Sequence, residues 1–102
     1  MVDTVRISHY DFKIERVKGK TMAANEVFGL CDKNKQVIYM DTTATDSVQL
    51  DTLLHEILHG IWWTGALEDE DKEERIVSVL ATGLVQVFKD NPSILETFHD
   101  QS

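Results

Sequence analysis

The chain is expected to fold as a small α+β domain with strands first and helices second, on three observations. The first half carries short runs of alternating or β-branched residues. From about Ser47 the apolar residues recur at three- and four-residue steps instead, the period of helix. Finally, 102 residues that are 42% hydrophobic, with one proline, suit a single folded domain spanning residues 1–102 with a modest core.

In "HYDFKIERV", Tyr10, Phe12 and Ile14 alternate with Asp11, Lys13 and Glu15, as in a half-buried strand. "KGK" at Lys18 to Lys20 predicts a turn. "EVFGLCD" and "QVIYMD" are two more β-prone runs, and "DKNK" between them predicts a hairpin with Asn34 near its tip. "DTTATDS" is rich in helix-starting residues, and Asp46 followed by Gln49 has the form of a capping box. Leu50, Leu54, Ile57, Leu58 and Ile61 would then line one face of a first helix. Its stop is expected at Thr64-Gly65, because glycine accepts the left-handed conformation that ends helices. The acidic stretch "LEDEDKEE" opens a second helix near Asp69, where negative charge complements the dipole. Ile76, Leu80, Gly83, Leu84 and Val87 supply its apolar face, and Asn91-Pro92 ends it. "SILETFH" adds a short terminal turn or helix. The expected architecture is a short antiparallel or mixed sheet packed on the first helix, with the second helix antiparallel to it.

Charge and cysteine usage narrow the function. With 10 basic and 18 acidic residues the formal charge is −8, which repels a nucleic-acid backbone and argues against that class of partner. The apolar run from Leu53 to Trp63 is too short for a bilayer, and no charged-then-apolar leader opens the chain, so no membrane partner is expected. Cys31 stands alone and excludes an internal disulfide; it is expected to pack as a small apolar residue in a cytoplasmic protein.

His55, Glu56 and His59 spell H-E-x-x-H inside the apolar run "LLHEILHGIWW". Residues four apart share a helix face, so both imidazoles can reach one metal ion with Glu56 beside it. Unpaired polar groups are costly to bury in such a helix, and a zinc ion would satisfy both imidazoles. Catalytic zinc takes a third protein ligand. His59 precedes Gly65 by about 9 Å of helix, and Glu74 would lie about 7–8 Å into a helix starting near Asp69. In an antiparallel hairpin the two stand at nearly the same height, with Glu73 and Glu70 as competitors; Glu73 shares a face with Ile76 and Leu80.

"LLHEILHG" followed by "EERIVSVLA" resembles the gluzincin branch of zinc metallopeptidases. The chain is similar to minimal gluzincins, to ImmA/IrrE-type metallopeptidase domains and to short phage-encoded HExxH proteins, over about Phe28 to Pro92. The resemblance implies a zincin-like domain holding one Zn²⁺ through His55, His59 and Glu74, with Glu56 as the general base that activates water against a peptide bond. Glu74-Arg-Ile-Val-Ser78 matches the family's register, with Ser78 in place of its acid or amide. A peptide or protein substrate would add as a strand beside "QVIYMD", the edge strand in related folds. Tyr39, Tyr10, His9 and His99 are candidate oxyanion donors, Trp62 or Trp63 is a candidate border of the cleft, and His99 or Asp100 is a candidate plug from the tail. The alternative is a zinc-binding interaction module with little or no hydrolysis, for which a general base at Glu56 would be superfluous.

Overall fold

A computed structural model describes residues 3–18, 29–67 and 72–100, with 97–100 described by backbone alone. Four strands, β1 (Thr4–Ile7), β2 (Tyr10–Val17), β3 (Gly29–Asp32) and β4 (Val37–Asp41), form one sheet in the order β1-β2-β4-β3. β2 and β4 pair in parallel and the other two pairs are antiparallel, so the sheet is mixed. Three helices follow: α1 (Asp46–Thr64), α2 (Glu73–Asp90) and α3 (Ser93–Asp100). The α+β class and the order of strands before helices are as the sequence predicts.

Alternation along the strands builds the core. Phe12 and Ile14 on β2, Ile38 and Met40 on β4, and Ile7 on β1 are buried on one face of the sheet, against Leu53 and Ile57 of α1. Each such side chain, fully withdrawn from water, contributes about 1.5–3 kcal/mol. Tyr10 does not join this core. It stays 38% exposed and lies against Trp63, with ring centroids 5.0 Å apart. Trp63 also meets Phe12 edge-on at 6.2 Å and so closes one end of the core.

The first strand is absent from the sequence reading. "TVRI" does alternate, with Val5 and Ile7 turned to the core and Thr4 and Arg6 outward, but four residues make too short a run to stand out. Its link to β2 is the two-residue connection Ser8-His9, with Ser8 left-handed at φ 57, where glycine or asparagine is the usual signal. The β3–β4 hairpin falls where expected. Asp32 pairs with Val37, its carboxylate accepts the Lys35 N–H at 3.0 Å, and Gln36 takes φ 55 to close the loop around Asn34. The "KGK" turn beyond Lys18, and the part of "EVFGLCD" before Gly29, lie outside the described residues.

Helix boundaries shift slightly from expectation. The N-cap of α1 is Thr45 rather than Asp46: its hydroxyl accepts from the Val48 N–H, while the Gln49 side chain donates to the Ala44 carbonyl at 2.9 Å. Asp46 sits instead in the first turn, favourable at the positive end of the dipole. At the other end the stop is in the right place but the left-handed residue is Ala66, at φ 54, while Gly65 has φ −79. The Ala66 N–H donates to Trp63 and the Leu67 N–H to Trp62, the crossed pair of bonds of a Schellman motif.

The most deeply buried positions of both helices are not the predicted ones, although Ile57 of the predicted α1 face packs on the sheet core. On α1 the buried residues are Thr52, Glu56 and Gly60, while Leu50 and Ile61 remain 42% and 49% exposed. α1 is wedged between the sheet and α2, and its closest approaches use small residues. A Cβ on Gly60 would lie 2.7 Å from Ile7 Cδ1, and one on Gly29 of β3 would lie 2.4 Å from Thr52 Cγ2. α2 begins at Glu73, later than the expected Asp69, which lies outside the described residues. It buries Glu73, Val77, Ala81 and Val85 against α1, while Ile76 and Leu80 of the predicted face stay exposed. Small side chains at four-residue steps let the helix axes approach, and that close contact decides which of two apolar stripes turns inward. The helices are antiparallel, as expected: Lys89 Nζ donates to Ser47 Oγ, and Thr82 Oγ1 to Asp51 Oδ1.

Candidate metal centre

The antiparallel contact brings the first turn of α2 alongside the third and fourth turns of α1. There His55 Nε2 and His59 Nε2 lie 3.1 Å apart. The Glu74 carboxylate spans them, with Oε1 2.9 Å from His55 Nε2 and Oε2 2.9 Å from His59 Nε2. Three ligand atoms, one from each residue, thus lie within 4.8 Å of one another and could hold a metal ion. Tetrahedral ligands at about 2.0–2.1 Å from an ion stand roughly 3.3 Å apart, close to the spacing seen here.

The chemistry of the donor set also calls for a cation. His59 Nδ1 lies 2.6 Å from Glu73 Oε2, a contact that requires a proton on Nδ1. In the neutral ring this leaves Nε2 as a bare lone pair, facing the Glu74 carboxylate and the second imidazole. Three acceptors so close together are stable only around protons or a metal ion. Glu73, one of the expected competitors for third ligand, therefore occupies a different place: it orients His59 from the outer nitrogen, the arrangement that commonly supports a metal-bound imidazole. Neighbouring helix residues point about 100° apart, so the pair Glu73-Glu74 can address the two nitrogens of one ring. Glu70 lies outside the described residues.

Glu56 faces the same space from the buried side of α1. It is 6% exposed, and its Oε2 is 4.0 Å from His55 Nε2. Burial pushes its carboxyl up to about 7; the Glu74 charge adds to this, while His59 and the Cys31 backbone N–H oppose it. The half-buried Cys31 also lines this space, and its thiol is pushed up to about 11 by burial and then by the Glu56 charge.

These residues line a cleft of about 510 Å³ walled by β3, α1 and the start of α2. The strand beside the site is β3, not the "QVIYMD" strand: β4 runs in the sheet interior between β2 and β3. Strand order is a long-range property, and nothing local in "GLCD" or "VIYMD" distinguishes edge from centre. Lys33, Asp51 and Thr52 also line the cleft and went unread in the sequence. Thr52 and Asp51 were within reach, being one turn before Glu56 and His55. Neither Tyr10, Tyr39 nor His9 lines the cleft, and neither does Trp62 or Trp63. The side chains of His99 and Asp100 are outside the described residues. Among the described residues no helix is long and apolar enough to cross a membrane. Comparison with protein-family models, with curated proteins and with solved structures finds no match.

Proposed function

We propose that the chain is a small zinc-dependent metallopeptidase of the gluzincin kind, acting on a peptide or protein substrate. One observation carries this: the ligand atoms of His55, His59 and Glu74 lie within 4.8 Å of one another with the buried acid Glu56 beside them. Two imidazoles and one carboxylate are the donor set of a catalytic zinc, whereas calcium and magnesium favour oxygen alone. One Zn²⁺ per chain would supply Lewis acidity and lower the pKa of water at the open position.

The protein's own groups would do the rest. Glu56, whose carboxyl burial makes more basic than usual, would accept the proton of the attacking water and return it to the leaving amine. Glu73 keeps the His59 ring turned so that Nε2 faces the cleft. β3, at the edge of the sheet among the described residues, offers its backbone to an extended peptide laid along the cleft. Cytoplasmic residence goes with this reading, since a lone cysteine needs no oxidising compartment.

The test is hydrolysis of a mixed peptide library by zinc-loaded protein, with Glu56→Gln as the comparison. The expected result is cleavage that chelation abolishes and that Glu56→Gln lowers by about 10²–10⁴-fold with zinc retained. A zinc-loaded wild type that cleaves nothing, and is indistinguishable from Glu56→Gln, would replace the enzyme by the interaction module.

A further inference from the structure

Among the described residues that line the cleft, Lys33 is the only lysine or arginine, set against the carboxylates of Asp51, Glu56, Glu73 and Glu74. β3 and the turn after it put it there. Gly29 faces α1, where a Cβ would stand 3.2 Å from Glu56 Cγ, and Cys31 packs on the core. Lys33, two residues further on, continues into the hairpin turn and lines the cleft. It is half-buried there, which is uncommon for a lysine. Among the described residues its ammonium is in no ion pair, so its three N–H donors are unspent. Its charge nevertheless reaches the Glu56 carboxyl, where it eases ionisation against the larger, opposite effect of burial. The cleft offers few other donors to an anion: Tyr10, Tyr39 and His9 do not line it, and Thr52 is buried with its methyl toward Gly29.

We infer that Lys33 is the oxyanion-stabilising residue of this site, its ammonium donating to the substrate carbonyl oxygen as water adds. The inference rests on the peptidase reading given above. The water oxygen bonds to the carbonyl carbon, its proton passes to Glu56, and the C=O electron pair moves onto oxygen. Negative charge thus appears on that oxygen in a cleft already lined by four carboxylates, which oppose it. The Lys33 Nζ–H donates to the new alkoxide and offsets that repulsion. When the C–N bond breaks, the pair returns to form C=O and the leaving amine takes the proton from Glu56. Lys33 keeps its three protons throughout and acts as a fixed charge rather than an acid. A neutral carbonyl attracts an ammonium weakly and an alkoxide attracts it strongly, so the contribution falls on kcat rather than on KM.

The test uses the zinc-loaded full chain and the library peptide it cleaves fastest, with Lys33→Met, Lys33→Arg and, at the exposed position in the same turn, Lys35→Met. Lys33→Met should lower kcat about 10²–10³-fold with KM within about threefold of wild type. Lys33→Arg should recover kcat to within about tenfold of wild type, because the charge and donors return. Lys35→Met should cleave as wild type does, and all three variants should hold one zinc per chain. A second readout needs no turnover. Calorimetry with N-phosphoryl-leucinamide, a tetrahedral anion, should show binding weakened at least about tenfold by Lys33→Met and unchanged by Lys35→Met. An unchanged kcat in Lys33→Met, or a raised KM alone, as for a residue that anchors substrate, would overturn the inference. So would a phosphoramidate that wild type does not bind, or that Lys33→Met binds equally well. Those results leave the peptidase reading standing. A zinc-loaded wild type that cleaves no better than Glu56→Gln removes that reading, and this inference with it.

Discussion

Replacing Glu56 by glutamine should stabilise the metal-free protein at neutral and alkaline pH while removing the proposed general base. Moving a carboxyl from 4.5 to about 7 makes its ionisation in the folded chain harder by about 3 kcal/mol. The folded state holds the proton more tightly than the unfolded chain, so this group opposes folding little below about 4.5. Between 4.5 and 7 the unfolded chain releases its proton while the folded one retains it, and stability falls through that window. Glutamine has the shape of the neutral acid and can still accept the Cys31 N–H. Urea unfolding in the presence of chelator, at about pH 5 and about pH 8, separates the two proteins. Glu56→Gln should gain about 2–3 kcal/mol over wild type between the lower and the higher pH. An equal difference at both pH values, or a variant less stable at the higher one, would refute the burial of a reluctant charge at this position.

Other perturbations follow from the same geometry. Glu73→Gln should keep one metal ion per chain but weaken its binding about 10–100-fold, read by competition with a chromophoric chelator, because the contact to His59 Nδ1 loses its charge. Gly29→Ala should destabilise by about 1–3 kcal/mol in denaturant, since the new methyl would stand 2.4 Å from Thr52 Cγ2; Thr52→Ser in the same chain should recover most of the loss. Ala66→Gly should add about 0.5–1 kcal/mol, seen as a higher melting temperature, because Ala66 ends α1 at φ 54.

What the sequence conveyed depended on how local the cause was. The spacing of His55 and His59 is set within one helix, so their pairing was legible; hairpin height, counted from a start near Asp69 where α2 begins at Glu73, left Glu74, Glu73 and Glu70 open, and only the resemblance singled out Glu74. The β3–β4 turn was also legible, since its Asp32 and Asn34 act within their own loop. β1 was not, because its alternation lasts only four residues and Ser8 supplies a left-handed turn without the residue that advertises one. The inward faces of α1 and α2 depended on which residues allow close approach. Gly60, Thr52, Ala81 and Val77 are small, and hydrophobic periodicity weights them below the leucines that ended outside. Glu73 was read as a competitor to Glu74 because period alone cannot say that two adjacent acids address the two nitrogens of a single ring. The place of β3 beside the cleft is a matter of strand order, which pairing across the whole sheet decides.

On the proposed function, His55, His59 and Glu74 form one zinc site. Calorimetric titration of chelator-treated protein with Zn²⁺, alongside Glu74→Ala, tests it most directly. One equivalent should bind per wild-type chain, with affinity lost in large part when Glu74 is removed. A folded wild type that binds no zinc, or binds it equally well without Glu74, would contradict it.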